Sequence, residues 1–134
     1  MTAKILDGKA LAEEILGEVA AGVAEMQQKH GVTPGLAAVL VGDDPASAIY
    51  VRNKRRACDQ VGMVSDTILL PADAANEQVL DCIQGLNKDP RFHGILVQLP
   101  LPDQMDPRAI ILALDPNKDV DGLHPVNVGR LVAG

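Results

Sequence analysis

Three short apolar runs, separated by segments of helical period, constrain this chain more than any other feature. Gly35 opens Leu36-Ala37-Ala38-Val39-Leu40-Val41, Val64 to Leu70 makes a second run, and Gly94-Ile95-Leu96-Val97-Gln98-Leu99 a third. Runs of this length with little polar alternation suit strands covered on both faces. Ahead of the first, Leu11, Ile15, Val19, Val23 and Met26 recur every three or four residues and predict a helix from about Gly8 to His30. Lys29-His30-Gly31 closes it with a cationic turn and a glycine. Asp44 as N-cap and Pro45 at the first helical position start a second helix that runs to about Val61 and stops at Gly62. Val79, Leu80, Ile83 and Leu86 place a third from about Asn76 to Lys88, and Pro107 to Leu114 reads as a short fourth. Strands alternating with helices need right-handed crossovers, so the expected class is α/β: three layers, αβα, around a mainly parallel sheet.

With one Phe, one Tyr and no Trp among 134 residues, the core must be aliphatic, and a chain of this length makes one domain. A net charge of −6 argues against nucleic acid or an anionic membrane as the main partner. The longest apolar runs, Leu36 to Val41 and Ala109 to Leu114, are too short to span a bilayer. The first residues include acids and no unbroken apolar segment, so no secretory signal is expected. Cys58 and Cys82 both fall in predicted helices and read as small buried thiols in a reducing compartment. A soluble cytoplasmic domain is the expectation.

Chemistry concentrates in three places. At about 100° per residue, Ser47, Tyr50, Lys54, Cys58 and Val61 share one stripe of the second helix, while Arg52, Arg55 and Arg56 turn away. Lys54 therefore sits on a mostly apolar face beside the only tyrosine. Either the lysine is desolvated, with a lowered pKa that suits a base, or its stem snorkels along the helix edge to water. Ligands of parallel sheets bind beyond the carboxyl ends of the strands. Gln98 ends the third run there, just before Leu99-Pro100-Leu101-Pro102; it either satisfies backbone groups at the sheet edge or faces a ligand.

The third place is Asp115-Pro116-Asn117-Lys118-Asp119-Val120-Asp121-Gly122-Leu123-His124. A calcium loop beginning at Asn117 fails at its last position, where Val128 stands for the required Glu, and Pro125 interrupts it, so no metal is expected. A surface turn and a substrate-binding carboxylate remain, with Asp119 bracing the turn or Lys118. His124, His30 and His93 read as surface or capping residues rather than catalysts. No strand is followed by G-x-G-x-x-G and no P-loop occurs; Gly42-Asp43-Asp44-Pro45 carries two acids that would repel a pyrophosphate. No serine sits in a G-x-S-x-G elbow.

Three segments together resemble the bifunctional methylenetetrahydrofolate dehydrogenase and methenyltetrahydrofolate cyclohydrolase family. They are Val41-Gly42 with Pro45-Ala46-Ser47, Tyr50-Val51 and Lys54; Gly94 to Pro102; and Lys118-Asp119-Val120-Asp121-Gly122 with His124-Pro125, Asn127 and Gly129. The resemblance runs in order along essentially the whole chain. It implies that Lys54 is the catalytic lysine, that Gln98 positions it, that Tyr50 stacks on the folate and that Asp121 grips the pterin. Ser47, Leu99 and Pro100 would join Tyr50 and Asp121 in binding substrate. The implied chemistry is coherent: a pterin edge offers two parallel N–H donors to a carboxylate, and Tyr50 offers a flat apolar face. A cationic methenyl bridge favours a neutral lysine beside it.

The same resemblance implies interconversion of 5,10-methylene-, 5,10-methenyl- and 10-formyltetrahydrofolate in one-carbon metabolism, with NADP as hydride acceptor and a homodimer as the complete enzyme. Residues 1–124 would be the tetrahydrofolate-binding catalytic domain, of the amino-acid-dehydrogenase-like type, and residues 125–134 the start of a linker helix to an NADP-binding domain. Family members then return a final helix to the first domain, so an uncovered apolar surface is expected here. Two other readings are a folate-binding module without catalysis and the substrate domain of a shikimate-dehydrogenase-like enzyme. The Gln98-to-Pro102 and Asp119-to-Gly122 segments favour folate.

Overall fold

The computed structural model describes residue 3 and residues 5–134. The reading of the first residues as lacking a secretory signal falls in part on residues 1, 2 and 4, outside the described residues. Eight elements follow in the order α1 (Gly8–His30), β1 (Gly35–Val41), α2 (Pro45–Val61), β2 (Val64–Leu70), α3 (Asn76–Lys88), β3 (Gly94–Val97), α4 (Pro107–Ala113) and α5 (Pro125–Ala133). The helix ends carry their expected caps. Asp7 accepts from the N–H groups of Lys9 and Ala10, Asp44 accepts from that of Ser47, and Gly62 closes α2 at φ 80°, a conformation costly for any residue with a Cβ.

All strand pairs are parallel, in the order β2-β1-β3. Central β1 runs in register from Gly35 beside Val64 to Val41 beside Leu70, and from Leu36 beside Gly94 to Val39 beside Val97. Alternation divides its residues between two faces. Ala37, Val39 and Val41, with Ile95 and Val97, pack on Val79, Ile83 and Leu86 of α3 and Ile110 of α4; Phe92, the only phenylalanine, joins them. On the opposite face Ala38, Leu40 and Leu96 meet Val51 of α2. Burial on both faces explains why β1 reads as an unbroken apolar run, and the three-layer α/β expectation holds.

Two boundaries differ from expectation. β3 stops at Val97, two residues early, because Gln98 and Leu99 turn into a proline-rich segment whose Leu99–Pro100 peptide is cis. The Gln98 N–H still donates to the Val39 carbonyl at 2.9 Å, so Gln98 is held at the sheet's end although it is not in the strand. Helix α4 ends one residue early, at Ala113. Helix α1 has the expected bounds, and its apolar stripe is largely uncovered. Of its apolar stripe only Val23 is buried; Leu11 is 56% exposed, Ile15 48% and Met26 41%. The sheet face behind α1 is already covered by α2, so α1 packs on a helix and its stripe overhangs the core.

Beyond β3 the chain returns along the sheet's open edge. The Ile95 N–H donates to the Lys118 carbonyl at 2.7 Å, and Asp119 makes a single parallel bridge with Ile95. Gly94 permits this approach, since a Cβ there would lie 2.5 Å from a γ-methyl of Val120. This contact fixes the path of residues 118–121 past the sheet's edge.

Candidate active site

Helix α2 starts at the carboxyl end of β1, and its first turn is secured before any chemistry is placed on it. The Ser47 N–H donates to Asp44 Oδ2 at 2.7 Å, and the Ser47 hydroxyl bonds the same carboxyl, holding it below the usual range. Ser47 itself is buried. Two turns along, Lys54 Nζ donates to Gln98 Oε1 at 3.1 Å. Gln98 Nε2 in turn donates to the Leu99 carbonyl at 2.8 Å. A carbonyl accepts only from the NH₂ end of an amide, so Leu99 turns the oxygen of Gln98 toward the ammonium. Gln98 thus satisfies a backbone group, as one of its two readings expects, and also presents an acceptor to Lys54.

The stripe of α2 is less enclosed than its spacing suggests. Cys58 and Val61 are buried, but Lys54 is half-buried and Tyr50 is 60% exposed. Leu99 and Pro100 are also exposed beside Gln98.

The segment after Lys118 adds two acids with opposite surroundings. Burial alone would raise Asp119, yet bonds from Asn127 and from the N–H groups of His124, Leu123 and Gly122 hold it below the usual carboxylate range. Its Oδ2 accepts from the His124 N–H and from Asn127 Nδ2, both at 2.9 Å. Lys118 takes no part, since its Nζ donates to the carbonyls of Leu86 and Asp89 at 3.1 and 2.9 Å. Asp119 therefore braces the turn. Asp121, two residues on, is exposed at the surface, yet the desolvation it does suffer pushes its carboxyl above the usual range; the Lys54 ammonium pulls it down and the Asp119 charge pushes it up. Asp121 and Lys54 thus lie within electrostatic range of each other. Gly122, at φ 67°, makes the turn that follows.

His124 caps α5, its Nδ1 accepting from the Val126 N–H at 3.2 Å, but it is buried rather than on the surface. His93 accepts the Gly35 N–H on Nδ1 at 3.1 Å, and His30 ends α1 exposed. Both cysteines are free; Cys58 is buried, whereas Cys82 is only half-buried, and burial pushes both thiols up. Asp115 bonds the backbone and side-chain amide of Asn117. Among the described residues, no three His, Cys, Asp or Glu gather where a metal ion could be held.

Sequence reasoning did not single out Asn127 as a structural tie. It lies in the first turn of α5, and its partners, the Pro116 carbonyl and Asp119, are brought to it only by the fold. A cavity of about 210 Å³ adjoins the site at Pro100 and is lined by Val41, Gly42, Asp43, Asp44, Ala72 and Pro102. Its two carboxylates make it a poor pyrophosphate cradle. No described helix is long and apolar enough to cross a membrane.

Residues 6–121 match the family model described as the catalytic domain of tetrahydrofolate dehydrogenase/cyclohydrolase. A relative from Geotalea uraniireducens, named bifunctional protein FolD, is 56% identical over 132 residues, covering 98% of this chain and 47% of its own length. A methylenetetrahydrofolate dehydrogenase from the silkworm Bombyx mori superposes with a TM-score of 0.95 at 46% identity, over 98% of this chain and 46% of that one. The Trypanosoma brucei dehydrogenase-cyclohydrolase, solved with NADP cofactor and inhibitor, gives a TM-score of 0.94 at 38% identity over 98% of this chain and 45% of that one. The chain spans about half the length of the curated relatives it matches.

Proposed function

This chain belongs to the tetrahydrofolate dehydrogenase/cyclohydrolase family, and we propose that it carries the folate site and the catalytic lysine of an enzyme interconverting methylene-, methenyl- and formyltetrahydrofolate. The observation that carries this reading is the Lys54–Gln98 hydrogen bond at the carboxyl end of the sheet, with Asp121 close enough to share the field of the ammonium. In this reading Asp121 accepts the two parallel N–H donors of the pterin and Tyr50 stacks on the folate, beside Leu99 and Pro100, while Ser47 supports that wall through Asp44. Gln98 holds Nζ of Lys54 toward the one-carbon bridge.

In the cyclohydrolase step the cationic bridge of the bound substrate displaces the proton of the Lys54 ammonium, and the freed amine takes the proton that water loses as it adds to the methenyl carbon. As one ring C–N bond breaks, the Lys54 ammonium returns that proton to the ring nitrogen and the amine takes the carbinol O–H proton, so the C=O forms and 10-formyltetrahydrofolate remains. The dehydrogenase step would use NADP, which accepts the hydride when bound. The residues of this chain do not fit that cofactor: the turn after β1 carries Asp43 and Asp44, and no strand is followed by a glycine-rich loop. NADP binding is therefore assigned to the portion of the relatives' length that this chain does not span.

The exposed stripe of α1 is the surface we propose packs against a further segment or subunit, in a complete enzyme that is a homodimer of the cytoplasm. The test is hydrolysis of methenyltetrahydrofolate by the Lys54→Met protein. Met fills the same space without an amine, so activity should fall by roughly 10²–10⁴-fold, the usual worth of a general base. Arg55→Ala, on the far side of α2, should leave it unchanged. Equal losses in the two variants would refute the role of Lys54.

A further inference from the structure

We propose that Asn127 is a positioning residue for substrate binding, acting through Asp119 to hold the Asp121 carboxylate in place; this rests on the folate-site reading above. Asp121 has no side-chain hydrogen bond of its own among those of the described residues, so its location depends on the backbone that carries it. That backbone leaves β3 at the Ile95–Asp119 bridge and rejoins regular structure only at Pro125. Between these points lie Val120, Gly122 and Leu123, with Gly122 at a positive φ. A five-residue excursion of this kind needs a tie across its base.

Asn127 supplies that tie from the first turn of α5. Its Nδ2 donates to Asp119 Oδ2 at 2.9 Å and to the Pro116 carbonyl at 2.7 Å, so one amide joins the strand-side stem and the preceding turn to the helix. The same Asp119 oxygen accepts the His124 N–H, which pins the start of α5 to the start of the excursion. Asp119 is partly buried, so removing its side-chain donor leaves a carboxylate short of a partner, and such a group moves toward water. The stem would open and Asp121 would shift relative to Lys54. Neither Asn127 nor Asp119 need touch the ligand for this to matter.

The test is the affinity of the protein for a reduced folate, measured by calorimetry in four proteins: wild type, Asn127→Ala, Asp121→Asn and the double variant. Circular dichroism first establishes that each is folded at the working temperature. Asn127→Ala should weaken binding by about tenfold, the scale of one charge-assisted hydrogen bond. In the Asp121→Asn background the same change should have less than about a twofold effect, because the carboxylate it positions is gone. A loss of equal size in both backgrounds, or no loss with Asp121 present, would overturn the proposal. If Asn127→Ala does not stay folded, Asn127→Leu, which keeps about the same shape and removes the donor without adding a charge, is held to the same criterion. Wild-type protein that binds no reduced folate would refute the folate-site reading itself, whereas intact binding in the folded Asn127 variant refutes the positioning role alone.

Discussion

Replacing Gly94 by alanine should damage the site through the sheet. The added Cβ would stand 2.5 Å from Val120 Cγ1, against ordinary carbon–carbon contact at roughly 3.5–4 Å, so about 1 Å must open between β3 and the segment beside it. Val120 is 53% exposed and has room to move outward, but it is tied between the Asp119 bridge and Asp121. Overpacking of this kind costs about 1–3 kcal/mol. The displacement should also weaken folate binding, because Asp121 moves with its neighbour. Val120→Ala alone trims methyls that are half in water and should cost under about 1 kcal/mol. In the double variant the nearest atom of residue 120 is its Cβ, 4.0 Å away, and Leu36 Cδ1 at 3.4 Å is the only other close group. Urea unfolding of the two single variants and the double, with folate titration alongside, is the assay. Gly94→Ala/Val120→Ala should recover stability and affinity relative to Gly94→Ala. A double variant no better than the Gly94 single would refute the packing argument.

Two further outcomes follow from the site and the sheet. Asp121 is raised when folded, so the native chain holds its proton more tightly than the unfolded chain; the stability of the ligand-free protein should decline as pH rises from about 4 through the elevated value. Folate affinity, which needs the ionised form, should fall on the acid side at a higher pH than an ordinary aspartate would give. Lys54→Met removes the charge that lowers Asp121 and should move that limb higher still. Comparing variants cancels the ligand's own titration, and an unmoved limb in affinity-against-pH curves would count against the pairing. In the sheet, Gly35→Ala drives a Cβ into the backbone carbonyl of Arg91, which has no side-chain freedom to yield, and should cost at least about 3 kcal/mol. Gly17→Ala, in open space on α1, should instead stabilise by about 0.5–1 kcal/mol. Denaturation midpoints of the same sign for both would contradict this account of the glycines.

Helix and strand positions were legible because their signals are local. Asp44-Pro45 starts α2 and Gly62 ends it with no help from distant residues, and β1 is apolar throughout because both faces are covered. Lys54 and Gln98 could be singled out separately by a polar group in an apolar stripe or strand. Their contact joins residues 44 apart, and only the fold supplies it. The exposure of the α1 stripe was not readable from its period, since a helical repeat reports an apolar face without saying what covers it. Asn127 was hidden for a similar reason: its two acceptors lie eight and eleven residues back and meet it only after the chain turns into α5. Gly94 and Gly35 matter because of atoms from Val120 and Arg91, which no local pattern announces.

The central claim is that Lys54, Gln98 and Asp121 form one folate site. A crystal structure of the protein with a reduced folate tests it most directly. The account predicts the pterin N–H donors on the two oxygens of Asp121, the ring of Tyr50 against the folate, and Lys54 Nζ, still bonded to Gln98, facing the one-carbon position. A folate bound away from the carboxyl end of the sheet, or one whose pterin makes no contact with Asp121, would contradict it.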